Sequence, residues 1–122
     1  MNASATEARP EAAATPPDAP DCLLTLALPR ALEEEVLDTL MSHPELARGF
    51  TVLHGQGMGA HVALATAMEQ VQGRARRVFV QVAVTRSQAQ ALLRALHEAL
   101  PRARMAYWIV PLLGFGHVGE AV

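Results

Sequence analysis

Lysine is absent from the sequence: all ten basic residues are arginines, set against twelve acids in 122 residues. Arginine throughout, beside abundant alanine, points to a GC-rich coding sequence before it points to a function. The charge is unevenly spread. Residues 1–21 hold four acids and one arginine, which leaves the rest of the chain near +1. A near-neutral domain lacks the basic excess typical of nucleic-acid binding, so no nucleic-acid partner is expected. Cys22 stands alone, so neither an internal disulfide nor a thiolate metal cluster can form. Its place at the head of an apolar run predicts a small buried hydrophobe. No stretch reaches the ~18–20 apolar residues of a membrane-spanning helix. The basic start and apolar run of a secretory leader are missing too. A soluble, cytoplasmic chain without direct membrane insertion is expected. Catalytic equipment is also missing: Ser42, Thr51, Ser87 and Cys22 have no base partner in the sequence. Glu33, Glu34 and Glu35 suit the positive end of a helix, so no enzyme is expected.

What is present divides into a tail and one domain. Residues 1–21 contain seven alanines and four prolines without an apolar period, and are read as a disordered N-terminal tail. Residues 22–122 form the domain. The run 22–28 is almost continuously apolar and ends at Pro29, as in a strand covered on both faces. A helix is predicted over 30–42, where Leu32, Val36 and Leu40 repeat every four residues and His43-Pro44 ends the pattern. A strand over 49–54 follows. The alternation of Val78, Val80, Val82 and Val84 predicts another over 77–85. Ser87 with Gln90 reads as a capping box opening a second helix, whose buried face is Ala89, Leu92, Leu93, Leu96 and Leu100. A fourth strand over 104–110 carries Tyr107 and Trp108, and Pro111 marks a bend. The order β-α-β-loop-β-α-β predicts an α+β ferredoxin-like sandwich, with both helices on one face of an antiparallel sheet. Apolar residues on the other face predict oligomerisation through the sheet.

The segment between the second and third strands holds the candidate functional residues. Running from about residue 55 to 76, it exceeds the ~12–15 residues at which a loop is usually functional or disordered. Gly55, Gln56, Gly57 and Gly59 open it; glycines let a backbone approach a ligand, and equally make a plain turn out of a strand. Arg74, Arg76 and Arg77 close it and can bind an anion by bidentate hydrogen bonds, or keep an exposed hairpin soluble. His54 and His61 flank the glycines and are candidate metal ligands, with Glu69 or His117 of a neighbouring subunit completing a site; no HxH or HxxxH spacing supports this, and the pair is read first as polar surface or cleft histidines. His43 and His97 are read as structural or solvated. Leu64, Met68 and Val71 lie at helical spacing and suit contact with a partner protein, or packing onto the same assembly.

Together these residues resemble the PII-like superfamily, which includes the PII nitrogen regulators and the CutA proteins, over about residues 22–120. Residues 49–57 match the second strand and the GxG turn that leads into the T-loop; 77–84 and 87–100 match the next strand and helix. Glu69-Gln70-Val71, Gly73-Arg74, Arg76-Arg77 and Tyr107-Trp108 look closest to a small PII-like family of uncharacterised function associated with heavy-metal efflux. The resemblance implies a homotrimer with clefts between subunits, a ligand in the cleft, and a loop that contacts a membrane transporter or metal efflux pump in signal transduction. Two departures stand out. The connection Pro101-Arg102-Ala103 is too short and glycine-free to cradle phosphates as the PII B-loop does. Gly119-Glu120 is present, but Phe115 and His117 stand where arginines precede it in PII. ATP binding in the PII manner is therefore not expected; AMP or another adenine nucleotide, a small anion or a divalent metal stays open, with His117 as a ligand-binding candidate. The leading reading is a PII-like regulatory protein. A CutA-like metal-binding or metal-tolerance protein is the alternative, and a small ferredoxin-like enzyme the least favoured.

Overall fold

The computed structural model describes residues 19–58, 64, 66–72 and 74–120, with the backbone alone described for 71 and 72. Strand β1 (Cys22–Pro29) runs through a 3-10 turn (Arg30–Leu32) into helix α1 (Glu33–Met41). Strand β2 (Thr51–Gly57), a short helix α2 (Ala67–Gln72) and strand β3 (Ala75–Val84) follow. Helix α3 (Arg86–Ala99) and strand β4 (Ala106–Pro111) complete the order. The sheet order is β2-β3-β1-β4 with every neighbour antiparallel, which is the ferredoxin-like sandwich expected.

Register decides which side chains meet. On the helix-covered face, Val52–Val80–Leu26–Tyr107 forms one row across all four strands, Val82–Leu24–Ile109 the next, and His54–Val78–Leu28 the third. Leu24, Leu26, Leu28, Val78, Val80 and Val82 are fully buried there beneath Val36, Leu40, Ala89, Leu92 and Leu96 of the helices. Because successive strand residues face opposite ways, the other face carries Leu53–Phe79–Ala27–Ala106 and Thr51–Gln81–Thr25–Trp108. Among the described residues no helix covers that face, and Leu53, Trp108 and Val110 remain 41–48% exposed on it.

Several boundaries differ from expectation, each for a local reason. The strand predicted over 49–54 runs instead from Thr51 to Gly57, because Gly55, Gln56 and Gly57 pair with Arg77, Arg76 and Ala75. The loop is correspondingly shorter, and both its glycine start and its arginine exit belong to a hairpin stem. Thr85, not Ser87, caps α3: its hydroxyl accepts from Gln88 N at 3.2 Å while Gln88 Oε1 accepts from Thr85 N at 2.9 Å. The same Ser/Thr-x-x-Gln pattern fits both pairs, and the extended backbone of Thr85 decides between them. The last strand spans Ala106–Pro111 rather than 104–110; Pro111 sits opposite Cys22 instead of bending the chain, as an outer strand permits. Asp21 already belongs to the ladder through Asp21 N to Val84 O and Leu112 N to Asp21 O, while residues 1–18 lie outside the described residues.

Cys22 is buried, and its thiol donates to Val84 O at 3.3 Å. Burial, then the charge and hydrogen bonding of Asp21, push the thiol's pKa up from its ordinary 9.0; Arg86 opposes them. The folded state thus favours the neutral thiol. Its contribution is present in full below the ordinary value and is lost as pH rises past it, where the unfolded chain can ionise. Urea melts at about pH 7 and about pH 10 should show wild type losing more stability than Cys22→Val between the two. Parallel losses in the two proteins would contradict this account.

Candidate ligand-binding site

The stem of the β2–β3 hairpin brings most of the sequence-predicted residues together. Gly55 faces Arg77, Gln56 faces Arg76, and Arg74 Nη1 donates to Gln56 Oε1 at 3.3 Å. Gly55 has a packing reason to be glycine: a Cβ there would stand 3.0 Å from the Phe79 ring, which lies diagonally across the strand. Arg77 reaches over β1 and donates through Nη2 to Ala27 O at 3.3 Å. Two of the three arginines are thus held by neutral oxygens of the domain itself. Gly59 and His61 lie outside the described residues, as does the side chain of Val71; Leu64 is half-buried and Met68 is exposed.

His54 leaves β2 on the helix side, where its Nε2 donates to Glu33 Oε2 at 2.9 Å. The first-turn glutamate therefore both faces the positive helix end and pins β2 to α1. With the imidazole about half exposed, such a pair contributes about 0–1 kcal/mol. Among the described residues, no three His, Cys, Asp or Glu side chains converge as metal ligands would. Glu69, considered as a metal ligand, is instead 6% exposed, with Oε2 accepting from Arg76 N at 2.9 Å.

His117 is at the other end of the sheet. Gly57 and Thr51, the two ends of β2, are six steps apart, about 20 Å at the strand rise. There the open face, the chain just before β1 and the segment after β4 enclose a groove of about 610 Å³. Leu23, Phe50, Ala83, Leu112 and Phe115 give it apolar walls, and Arg48, Thr51, Gln81 and His117 bring polar groups to the same space. Phe115 meets the His117 ring edge-on at 5.6 Å, and Glu120 Oε1 accepts from His117 N and lies 3.4 Å from Nδ1. Gly119, at φ 104°, makes the turn that brings Glu120 back. A small-molecule site is of this kind: concave, mostly apolar, with a few convergent polar groups. Sequence reasoning found His117 but missed Arg48, Thr51 and Gln81. The alternation of β3, which places Gln81 and Ala83 opposite the valines, was the available signal.

Over residues 18–119 the sequence matches the family described as "Protein of unknown function (DUF3240)". The chain belongs to the DUF3240 family. A DUF3240 family protein from Shewanella baltica OS155 superposes with a TM-score of 0.65 at 22% identity, over 82% of this chain and 98% of that one. CPII, a nitrogen regulatory PII-like protein from Thiomonas intermedia K12 bound to ADP, AMP and bicarbonate, gives 0.58 at 18% identity, over 82% and 99%. CutA from Synechococcus elongatus PCC7942 gives 0.56 at 19% identity, over 77% and 78%. No curated protein sequence matches the chain. The fold of this DUF3240 protein is thus that of the PII-like superfamily, as its sequence led us to expect.

If Gly55 is glycine for Phe79, Gly55→Val should destabilise this DUF3240 domain by about 1–3 kcal/mol through overpacking. Adding Phe79→Ala should recover part of that loss, with a coupling of about 0.5 kcal/mol or more in a double-mutant cycle of denaturant melts. Additive losses would show that the ring is not the reason.

Proposed function

We propose that this DUF3240 protein is a non-enzymatic PII-like regulator. Three copies pack through their open sheet faces, a small ligand binds in the groove between subunits, and the inter-strand segment carries the signal to a membrane transporter or efflux system. The observation that carries the reading is the groove: four polar side chains converge on apolar walls beside the uncovered face. The ligands named for the Thiomonas relative, ADP, AMP and bicarbonate, favour an adenine nucleotide or a small carboxylate-like anion here. In this proposal Gln81 and Thr51 recognise a polar ring edge, Phe115 packs on its face, and the Arg48 guanidinium faces the negative end. The short turn between α3 and β4 contributes no phosphate cradle, so AMP suits the groove better than ATP.

Exposure of Leu53, Trp108 and Val110 on the open face, at 41–48% each, supports assembly there. Binding that orders the inter-strand segment would shift its population between partner-competent and free forms.

Calorimetric titration with AMP, ADP, ATP, bicarbonate and Zn²⁺ tests the reading. AMP or ADP should bind, and Gln81→Leu should weaken that binding by about ten-fold, the worth of one buried hydrogen bond to a polar ring. Sedimentation should give a trimer that Trp108→Glu dissociates. Failure of all five ligands to bind, with unchanged hydrogen exchange across the inter-strand segment, would overturn the sensing role.

A further inference from the structure

Burial sets Glu69 apart from the other described acids: at 6% exposure it is one of two buried polar side chains among the described residues, yet it lies in a six-residue helix outside the core. Three hydrogen bonds contribute to its position. Thr66 Oγ1 accepts from Glu69 N at 3.1 Å, which caps the start of α2. Glu69 O accepts from Arg74 N at 3.2 Å, which closes its end onto the returning chain. Glu69 Oε2 accepts from Arg76 N at 2.9 Å, and this bond crosses from α2 to the first residues of β3. Helix α2 is too short to be stable alone, because nucleation costs more than one and a half turns return. Met68 is 54% exposed.

A hydrogen bond from a backbone amide to a buried carboxylate is about twice as strong as a neutral one. It therefore contributes strongly to holding α2 on the stem. On its β1 side Arg76 has no strand partner, because β1 ends at Pro29 opposite Arg77. The neighbouring Arg74–Gln56 bond ties the same stem side to side.

We propose that Glu69 is a latch: its carboxylate holds α2 folded onto the β2–β3 stem, and removing that carboxylate frees α2 from the stem while leaving the four-stranded core intact. The latched form keeps the carboxylate hidden and the helix docked. The released form exposes both, together with the backbone N–H of Arg76. The latch itself stands on the geometry alone; its regulatory meaning rests on the inter-strand segment being the effector arm proposed above.

Hydrogen exchange read by mass spectrometry on the full chain tests it. Glu69→Ala and Glu69→Asp, the latter charged but one methylene too short to reach Arg76 N, should each speed exchange over residues 66–76 by about ten-fold or more. Exchange in peptides from β1, β3 beyond Val78, and α3 should stay at the wild-type rate. Thr66→Ala removes the cap but keeps the carboxylate bond, and should accelerate exchange less than either. Wild-type exchange in Glu69→Asp, or acceleration spread evenly over the core, overturns the latch. AMP and ADP titrations of the same samples separate the two proposals: a loosened segment with an empty groove leaves the latch and removes the sensing role, and a filled groove with unchanged exchange does the reverse.

Discussion

The pairing of β1 with β3, which sets Leu24 opposite Val82 and Leu26 opposite Val80, is the constraint on which the rest of the structure depends. Side chains alternate with period two, so a slip of one residue would turn every valine of β3 from the core to the uncovered face. The same register fixes what lies at each end. Toward one end it sets Arg77 opposite both Pro29 and Gly55, which builds the stem. Toward the other it places Gln81 and Ala83 on the open face, where they line the groove. The site and the loop base are consequences of one core register, and neither can move without the other.

How much of this was legible in the residues depended on whether the cause was local. The valine alternation of β3 and the Leu/Val stripe of α1 are local patterns, and they led to the right element order and the right sandwich. The hairpin stem is not local. Gly55-Gln56-Gly57 has poor intrinsic strand preference, and it is strand because Phe79 lies over Gly55 and because Arg76 and Arg77 supply partners. Both positions looked like loop when read one at a time. The cap was ambiguous for another reason: Thr85…Gln88 and Ser87…Gln90 carry the same spacing, and only the backbone angles of Thr85 separate them. The groove was the least legible part. It draws on Leu23, Arg48, Thr51, Gln81 and Phe115, which no spacing rule connects.

Splitting the sequence-predicted residues between two ends of one sheet also changes what they can do within one protomer. Gly57 and Arg76 belong to the stem, His54 is engaged by Glu33, and His117 stands with Phe115 in the groove. A single pocket containing all of them would need contributions from more than one copy. That fits the proposed cleft between subunits.

The outermost strands of the sheet, β2 and β4, differ from each other in length and sequence. An edge that pairs with its own copy makes a two-fold contact, which closes at two chains. Any extension of the sheet that joins one copy's β2 to the next copy's β4 is head-to-tail, and such a contact either curves into a closed ring or continues as a filament. The right-handed twist of the sheet supplies a rotation at every junction. If copies did join in that way, that rotation would decide between a closed ring and a fibre.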